Sequence, residues 1–226
     1  MLEDLIGVEE NNLPLPNAGE WELKTKRKDS GTLTTLLHME PSPRVIRFVP
    51  KILLPKYGWP HKSAGTDYGS GEMSFRQTIS AKVRTDRGFG LNINRTSRKI
   101  EVSFDSKLIS SKHASWKADV ERRVGLSELN PQPYWGFDDL YHRVATKMIN
   151  CFYLIVDTKL IGNDEFLKYS EIMILSGFNE ELFITAIEKG YIYVDFDARS
   201  GHNHGTKFRF VSEYLPSLYR SVIRIE

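Results

Sequence analysis

The chain has 226 residues, of which 40% are hydrophobic and 27% are charged, with a net charge of +2 and a single cysteine. This composition is typical of a soluble globular protein, and it excludes a disordered chain, a disulfide scaffold and, because no apolar run is long enough, a membrane span. The length suits one α/β domain with a substantial core, so we predict a single cytoplasmic domain over residues 1–226 with no membrane partner.

A helix and two strands are predicted for the first part of the chain. Apolar side chains within an acidic stretch favour a short amphipathic helix over residues 2–8. The chain then becomes extended through Leu-Pro-Leu-Pro, and strands are predicted at 20–27 and 32–37. Gly31 lies in the polar turn between these strands, which predicts that they pair as a hairpin.

The middle of the chain combines a helix, a loop and three strands. Residues 44–54 favour a helix that ends before Pro55, and the glycine-rich segment 57–72 favours a loop. Alternating and β-branched residues predict a three-stranded meander with strands at 75–83, 90–94 and 99–104. Residues 106–133 have no clear periodicity, so no element is predicted there.

The last part of the chain alternates helices and strands. Phe137, Leu140 and Val144 recur at helical spacing after acidic residues in the first turn, which predicts a helix over 137–148. A second helix is predicted at 180–189. Further strands are predicted at 151–156, 169–175, 191–197, 206–211 and 221–225. The pattern predicts a mixed α/β (α+β) fold with a central, twisted mixed sheet flanked by helices.

Glu22 and Lys24 are the first candidates for chemistry. They lie two residues apart on a predicted strand, so both side chains project from one face. Metal-assisted phosphodiester hydrolysis needs a carboxylate that holds a divalent cation beside an amine that holds water or phosphate. An aspartate a few positions upstream normally completes such a site, and Asn17 occupies that position. Because Glu-x-Lys is common on solvated strands, the triplet alone also fits an ordinary surface strand.

The segment from Asp195 to Arg209 predicts a hairpin whose tip carries two histidines. Asp195 and Asp197 share one strand face, as do His202 and His204, which permits a mixed-ligand metal site of an oxygenase or hydrolase. The same side chains suit base reading in a DNA groove, since arginine donates to guanine and aspartate accepts from cytosine. An exposed polar turn without a function is the third interpretation.

A set of short motifs occurs in one order along the chain. These motifs are Leu2-Glu-Asp-Leu, Glu9-Glu-Asn-Asn-Leu, Pro16-Asn17, Glu22-Leu-Lys24-Thr25, the strand at 32–37 with Pro41 to Pro43, Tyr134-Trp135-Gly-Phe137-Asp138, and His202-Asn-His204-Gly205-Thr-Lys-Phe208-Arg209. In this combination they resemble the MvaI/BcnI restriction endonucleases, which are relatives of MutH. The resemblance spans nearly the whole chain and is weakest from about residue 50 to residue 130.

The resemblance implies a monomeric, Mg²⁺-dependent type II endonuclease of the prokaryotic cytoplasm, built on the core shared by many restriction enzymes. Its partner would be double-stranded DNA, cut or nicked within a short, C·G-flanked pseudosymmetric site. Matched by position, Asn17 and Glu22 would be metal ligands, and Lys24 would orient water and stabilise negative charge on the phosphate. The residues implied to face the DNA are Asp195, Asp197, Arg199, His202, His204, Lys207 and Arg209.

The chain departs from the family pattern in two places. Asn17 keeps an oxygen for the metal but lacks the negative charge of the family's aspartate, so metal affinity falls and catalysis is impaired or abolished. A catalytically dead, sequence-specific DNA-binding module is therefore the alternative to an enzyme. The family also has further residues before its first helix, which implies a domain cut from a longer chain and is consistent with a fused effector domain.

Overall fold

The computed structural model describes residues 7–8, 15–28, 30–162 and 164–225. The chain folds into two compact units. The first unit comprises residues 1–34, 141–186 and 210–226, and the second comprises residues 35–140 and 187–209. Apart from Gly7 and Val8, the helix predicted for residues 2–8 lies outside the described residues. The single-domain organisation stays a prediction.

The described residues form a mixture of strands and short helices. The strands are β1 (Glu22–Arg27), β2 (Thr34–His38), β3 (Trp59–Pro60), β4 (Met73–Ile79), β5 (Arg87–Asn94), β6 (Lys99–Ile109), β7 (Tyr134–Gly136), β8 (Asn150–Ile161), β9 (Asp164–Phe178), β10 (Ile192–Arg199), β11 (His202–Phe210) and β12 (Tyr219–Ile225). The α-helices are α1 (Leu54–Tyr57), α2 (Ala114–Val124), α3 (Phe137–Met148) and α4 (Glu180–Glu188). The 3-10 helices are Arg44–Ile46, Ser111–His113 and Ser212–Leu218, and Val49–Leu53 is a π-helix.

The sheet of the first unit has the strand order β1-β8-β9-β12. β1 pairs with β8 in parallel, whereas β9 is antiparallel to both of its neighbours. β2 instead lies next to β11 in the sheet of the second unit. The hairpin predicted from 20–27 and 32–37 is therefore wrong, because both strands find partners more than a hundred residues away.

The two faces of β1 bury different kinds of side chain. Leu23 is buried and packs with Leu154 on β8. Glu22 and Lys24 project from the opposite face, where the register of the parallel pair sets them beside Cys151 and Tyr153 respectively. Tyr153 and Cys151 are both buried, so the polar side chains of β1 face a largely apolar surface of the sheet.

The second unit contains a five-stranded sheet, with the order β2-β11-β10-β4-β3, and a three-stranded sheet, with the order β5-β6-β7. Only β5 and β6 pair as the predicted meander requires, because β4 pairs with β10. Helix α2 was not predicted, since only Trp116 and Val120 of its eleven residues are buried and the apolar stripe is too narrow to recognise.

The segment predicted as a helix over 44–54 is less regular and longer than expected. It contains a 3-10 turn and a π-helix, and then continues through Pro55 in α1 to Tyr57. Pro55 is accepted because it lies in the first turn of α1, where a backbone N–H has no helical acceptor.

The fold class and the later helices are confirmed. The chain is mixed α/β, and the strands of its described residues are distributed over three sheets and not gathered in one. α3 covers the predicted residues 137–148, and α4 begins at the predicted residue and ends one residue early. None of the helices among the described residues is long and apolar enough to cross a membrane.

Candidate functional site

A tight turn brings Asn17 to the start of β1. The backbone of Ala18 and that of Trp21 exchange two hydrogen bonds, of 2.9 and 3.0 Å, and Gly19 adopts a φ of +61° inside the turn. A left-handed conformation of this kind is readily adopted by glycine. The chain therefore reverses within four residues and returns Asn17 to the side of Glu22.

Glu22 is an acid that is almost completely removed from solvent. Its side chain is only 1% exposed, and the Lys24 ammonium lies 2.7 Å from its Oε1. The side-chain amide of Asn17, oriented to satisfy its hydrogen bonds, donates from its nitrogen to Oε2 at 2.5 Å and to Oε1 at 3.2 Å. Asn17, Glu22 and Lys24 therefore lie in contact within the first unit, as the sequence predicts.

Lys147 joins this group from the last turn of α3. Its Nζ lies 3.5 Å from Oε1 of Glu22, and its side chain is 24% exposed. Sequence reasoning missed this residue, because a lysine near the carboxyl end of a helix is already explained by the helix dipole. We name Asn17, Glu22, Lys24 and Lys147 the Glu22 cluster.

The Glu22 cluster carries one negative and two positive charges. A buried carboxylate is stable only when it is paired and hydrogen-bonded, and here two ammonium groups and an amide do both. The surplus positive charge favours the approach of a further anion, such as a phosphate group. The arrangement is therefore suited to a phosphodiester, which brings the negative charge that the cluster lacks.

The oxygen atoms of the cluster fit a hard cation once a phosphate is present. Mg²⁺ is commonly bound by one or two carboxylates together with substrate phosphates and water. Glu22 supplies a carboxylate, and a half-turn of the Asn17 amide presents its oxygen in place of its nitrogen. With the amide oriented to donate to Glu22, a hydrogen bond satisfies the carboxylate. An aspartate at position 17 would place a second carboxylate there, and that pair would require a cation.

Burial is the main cause of the pKa shifts of the residues around the cluster. It raises the pKa of the Cys151 thiol to about 12 and that of the Tyr153 hydroxyl to about 12. It also raises the pKa of Tyr219. These groups are consequently uncharged near neutral pH.

The second set of candidates lies on the hairpin formed by β10 and β11, which confirms the hairpin predicted for 195–209. Val194, Phe196 and Ala198 are buried, and they alternate with the partly exposed Asp195 and Asp197. Simple strand alternation explains this pattern. The polar candidates therefore lie on the outer face of the sheet.

The acids on this face are each paired with an arginine. Asp195 accepts a hydrogen bond from Thr78 at 2.8 Å and lies 3.3 Å from Nη1 of Arg209. Asp197 pairs with Nε of Arg76 at 3.2 Å. Arg199, the next polar residue of β10, pairs in turn with Glu72 at 3.1 Å. Opposite charges thus alternate across neighbouring strands, which holds the polar side chains in fixed positions.

The histidines occupy the exposed tip of the hairpin. The rings of His202 and His204 lie 4.3 Å apart in an edge-on arrangement. Gly205 follows with a φ of +81°, so the regular alternation of β11 is interrupted between the tip and Lys207. Partial burial, together with the charge of Lys207, lowers the pKa of the neighbouring His38.

Glu40 holds β11 just beyond this irregular position. It accepts hydrogen bonds from the backbone N–H of Thr206 at 3.0 Å and from the Thr206 hydroxyl at 3.1 Å. It also accepts a hydrogen bond from the Asn203 amide at 3.4 Å. Sequence reasoning did not single out Glu40, because nothing near it in the sequence indicates a contact 166 residues away.

The mixed-ligand metal site that was one interpretation of the hairpin is not formed. Across residues 7–8, 15–28, 30–162 and 164–225, no group of three or more His, Cys, Asp and Glu side chains could hold a metal ion. The physical reason is that Asp195 and Asp197 are held by arginines, so they do not converge on the His202 and His204 rings.

Comparison with known proteins identifies relatives for both the sequence and the fold. The MvaI/BcnI restriction endonuclease family matches residues 1–219. The fold is similar to that of restriction endonuclease MvaI solved as a complex with its cognate DNA substrate, with a TM-score of 0.72, 22% identity, and coverage of 99% of this chain and 85% of that chain. It is also similar to MvaI solved in the absence of DNA, with a TM-score of 0.60, 19% identity, and coverage of 99% and 83%. A comparison with curated proteins found no match. The match over nearly the whole sequence shows that this chain belongs to the MvaI/BcnI restriction endonuclease family.

Proposed function

We propose that the chain is a type II restriction endonuclease domain that hydrolyses a phosphodiester of double-stranded DNA at the Glu22 cluster. The observation that carries the proposal is the burial of one carboxylate against two lysines and an amide. The family to which the chain belongs, and the similarity of its fold to MvaI bound to cognate DNA, support the choice of DNA as substrate.

Each member of the Glu22 cluster has a role that follows from its chemistry. Glu22 and Asn17 would hold Mg²⁺ through oxygen atoms, and the bound ion would supply Lewis-acid chemistry at the phosphate. Lys24 orients the attacking water and neutralises charge on the phosphate, and Lys147 adds a second positive charge beside Glu22.

Asn17 makes this form of the domain a poor catalyst. An amide oxygen is a weaker ligand than a carboxylate, because it carries no formal charge. The hydrogen bond from Asn17 to Glu22 also competes with the metal for the same carboxylate. We therefore propose that Mg²⁺ binds weakly and that DNA cleavage is slow or absent in the Asn17 form.

The hairpin of β10 and β11 selects the sequence. Its exposed histidines and its ion-paired Arg199 and Arg209 present donors at fixed positions, which is what direct reading of base edges requires. Asp195 and Asp197 supply acceptors, and Lys207 adds positive charge near the phosphate backbone. The proposed site is a short, C·G-flanked pseudosymmetric duplex sequence, recognised by a monomer in the prokaryotic cytoplasm.

A DNA-binding module without turnover is the second candidate function. The Asn17 amide favours it, because in the orientation that satisfies its hydrogen bonds it donates to Glu22 and satisfies that carboxylate without a metal. In this case the hairpin keeps its sequence specificity, and the Glu22 cluster contributes only positive charge to binding.

Substitution Asn17→Asp tests the enzyme proposal and separates it from the alternative. We expect the aspartate form to cut a mapped plasmid with Mg²⁺ at least about 100-fold faster than the Asn17 form, since a charged ligand replaces a neutral one. Cleavage is followed on gels at matched protein and salt concentrations. The double variant Asn17→Asp, Lys24→Ala is the control for contaminating nuclease and should remain inactive.

The remaining outcomes decide between the two functions. Sequence-specific binding by both forms, with no cleavage by either, would support the binding module and overturn the enzyme. If neither form cuts or binds any duplex over a range of sites with Mg²⁺, both functions are refuted.

A further inference from the structure

A basic pocket of the second unit lies at the tip of the β10–β11 hairpin, and none of the residues of the Glu22 cluster lines it. The cavity has a volume of about 320 Å³ and is lined, among others, by Arg47, Lys51, Arg199 and His202. No acidic side chain belongs to its lining among the described residues. Such a pocket has positive charge on several sides and nothing within its lining to neutralise it.

Two of the cations at the pocket are available for a ligand. Within the part of the chain that the structure describes, the Arg47 guanidinium and the Lys51 ammonium form no ion pair or side-chain hydrogen bond, and both residues are exposed. Arg199 is different, because it pairs with Glu72 and its guanidinium lies 4.5 Å from the ring of Tyr68. The Arg199 side chain is thus held in place by these contacts, whereas the side chains of Arg47 and Lys51 can move to bind a ligand.

The backbone beneath these cations is irregular in two respects. Arg47 has a φ of 55°, which only one other non-glycine residue of the described chain, Arg98, also adopts in the positive range. Residues Val49–Leu53 form a π-helix, with the N–H of Leu54 bonded to the carbonyl of Val49. Strained φ values and π-helical turns both occur preferentially at ligand-binding positions.

The chemistry of the lining selects an acceptor as ligand. Arg47, Lys51 and Arg199 offer only hydrogen-bond donors. The amide of Asn203, which also lines the pocket, is already used, since it accepts from the Gly205 N–H and donates to Glu40. A base edge in the major groove presents donors as well as acceptors, but a phosphodiester presents acceptors and negative charge only.

We propose that this pocket is a phosphate clamp, in which Arg47 and Lys51 bind a backbone phosphate of the DNA that the neighbouring hairpin reads. The proposal rests on the proposed function for the identity of the DNA, but the site itself is an anion site of the free protein. The clamp fixes the register of the hairpin on the duplex and carries no sequence information of its own.

The experiment measures duplex binding as a function of salt. Arg47→Asn removes the charge with a residue that tolerates a positive φ, and Lys51→Gln removes the charge with a good helix former. Each phosphate that is no longer neutralised reduces the slope of log K against log salt by about 0.9, so the double variant, which loses the one clamped phosphate, should lose about 0.9. Lys56→Gln is the matched control, because Lys56 lies five residues further along the same segment and outside the pocket lining.

Specific and non-specific duplexes are titrated with each variant by fluorescence anisotropy. The clamp requires the double variant to weaken binding to both duplexes by the same factor, with an unchanged specificity ratio. An unchanged slope, or an equal change in Lys56→Gln, overturns it. A loss confined to one duplex sequence also overturns it, in favour of base reading.

Inorganic phosphate provides a readout that does not depend on DNA cleavage or recognition. Titrated against the DNA-free protein, it should shift the side-chain NMR signals of Arg47 and Lys51 in the unsubstituted chain. The same signals of the Lys56→Gln control should shift equally. If the protein binds no duplex at all, the proposed function fails, and the phosphate titration still decides the pocket: no shifts overturn the anion site.

Discussion

The Glu22 cluster and the β10–β11 hairpin differ in how far their charged side chains are exposed to solvent. In the first, a carboxylate is 1% exposed and is surrounded by groups from a turn, a strand and a helix. In the second, acids and arginines alternate on the outer face of a sheet, and two histidines lie exposed at the tip. One region removes charges from water, and the other keeps them beside it.

The difference follows from what each region is proposed to do. A group that acts on a phosphodiester gains strength from burial, because electrostatic interactions weaken as water enters. A group that reads base edges must reach into a groove, so it has to be exposed and held at a fixed angle. The ion pairs of Asp195 and Asp197 supply that fixation while both side chains stay partly exposed.

Removal of the buried acid is the largest expected effect and tests whether the two regions are separable. In the Asn17→Asp form, Glu22→Gln should lower the cleavage rate by about 10³-fold or more, because it removes a ligand and the partner of both lysines. Duplex affinity should not fall, because both lysines remain and a negative charge is removed beside them. Single-turnover cleavage and anisotropy measure the two quantities. Glu20→Gln, an exposed acid in the adjacent turn, is the control and should have no effect.

The comparison would break if Glu22→Gln abolished duplex binding together with cleavage. The two regions would then act as one binding surface, and the buried carboxylate could not be assigned to chemistry alone.

Truncation of a histidine at the hairpin tip should instead weaken sequence-specific binding of the duplex. We expect His204→Ala to weaken binding to the specific duplex by about 10–100-fold, since a lost base contact costs about 1–3 kcal/mol. Binding to a non-specific duplex should be unchanged. Competition titrations with both duplexes measure the ratio, and His142→Ala, an exposed histidine of α3, is the control. Equal losses on both duplexes would contradict base reading by His204.

A smaller effect concerns the stability of the metal-free site. Asn17→Asp replaces the hydrogen bond to Glu22 with two carboxylates in contact, which should destabilise the protein in EDTA by about 1–2 kcal/mol. Mg²⁺ should restore that stability through its preference for the folded form. Thermal unfolding with EDTA and with Mg²⁺ measures the difference. Asn17→Ala loses the hydrogen bond without gaining a charge, so its stability should not respond to Mg²⁺.

The smallest effect is expected for the reactivity of Cys151, which lies in register with Glu22. Burial raises the pKa of its thiol to about 12, above that of an unfolded cysteine, so the folded protein keeps the thiol protonated at pH 8. Iodoacetamide should therefore leave Cys151 unmodified at pH 8 until the protein is denatured, as mass spectrometry can measure. Because the unfolded thiol ionises first, this group destabilises the fold as the pH rises above about 8.5. Rapid alkylation of the folded protein would mean that water reaches this face of β1.

Local patterns in the sequence determined much of the fold and part of the candidate site. The 3.6-residue spacing of Phe137, Leu140 and Val144 predicted α3, because burial of one helix face is recorded in a short window of sequence. The two-residue spacing of Glu22 and Lys24, and the order of residues in the β10–β11 hairpin, are equally local. In each case the residues that share a face are neighbours in the chain.

Only the tertiary structure decided which elements meet. The parallel pairing of β1 with β8, the approach of Lys147 to Glu22 and the contact of Glu40 with β11 all join distant parts of the chain. A sequence pattern records whether a side chain is buried, but it does not record the partner that buries it. The charge balance of the Glu22 cluster and the basic pocket beside the hairpin depend on those partners, so packing decided both.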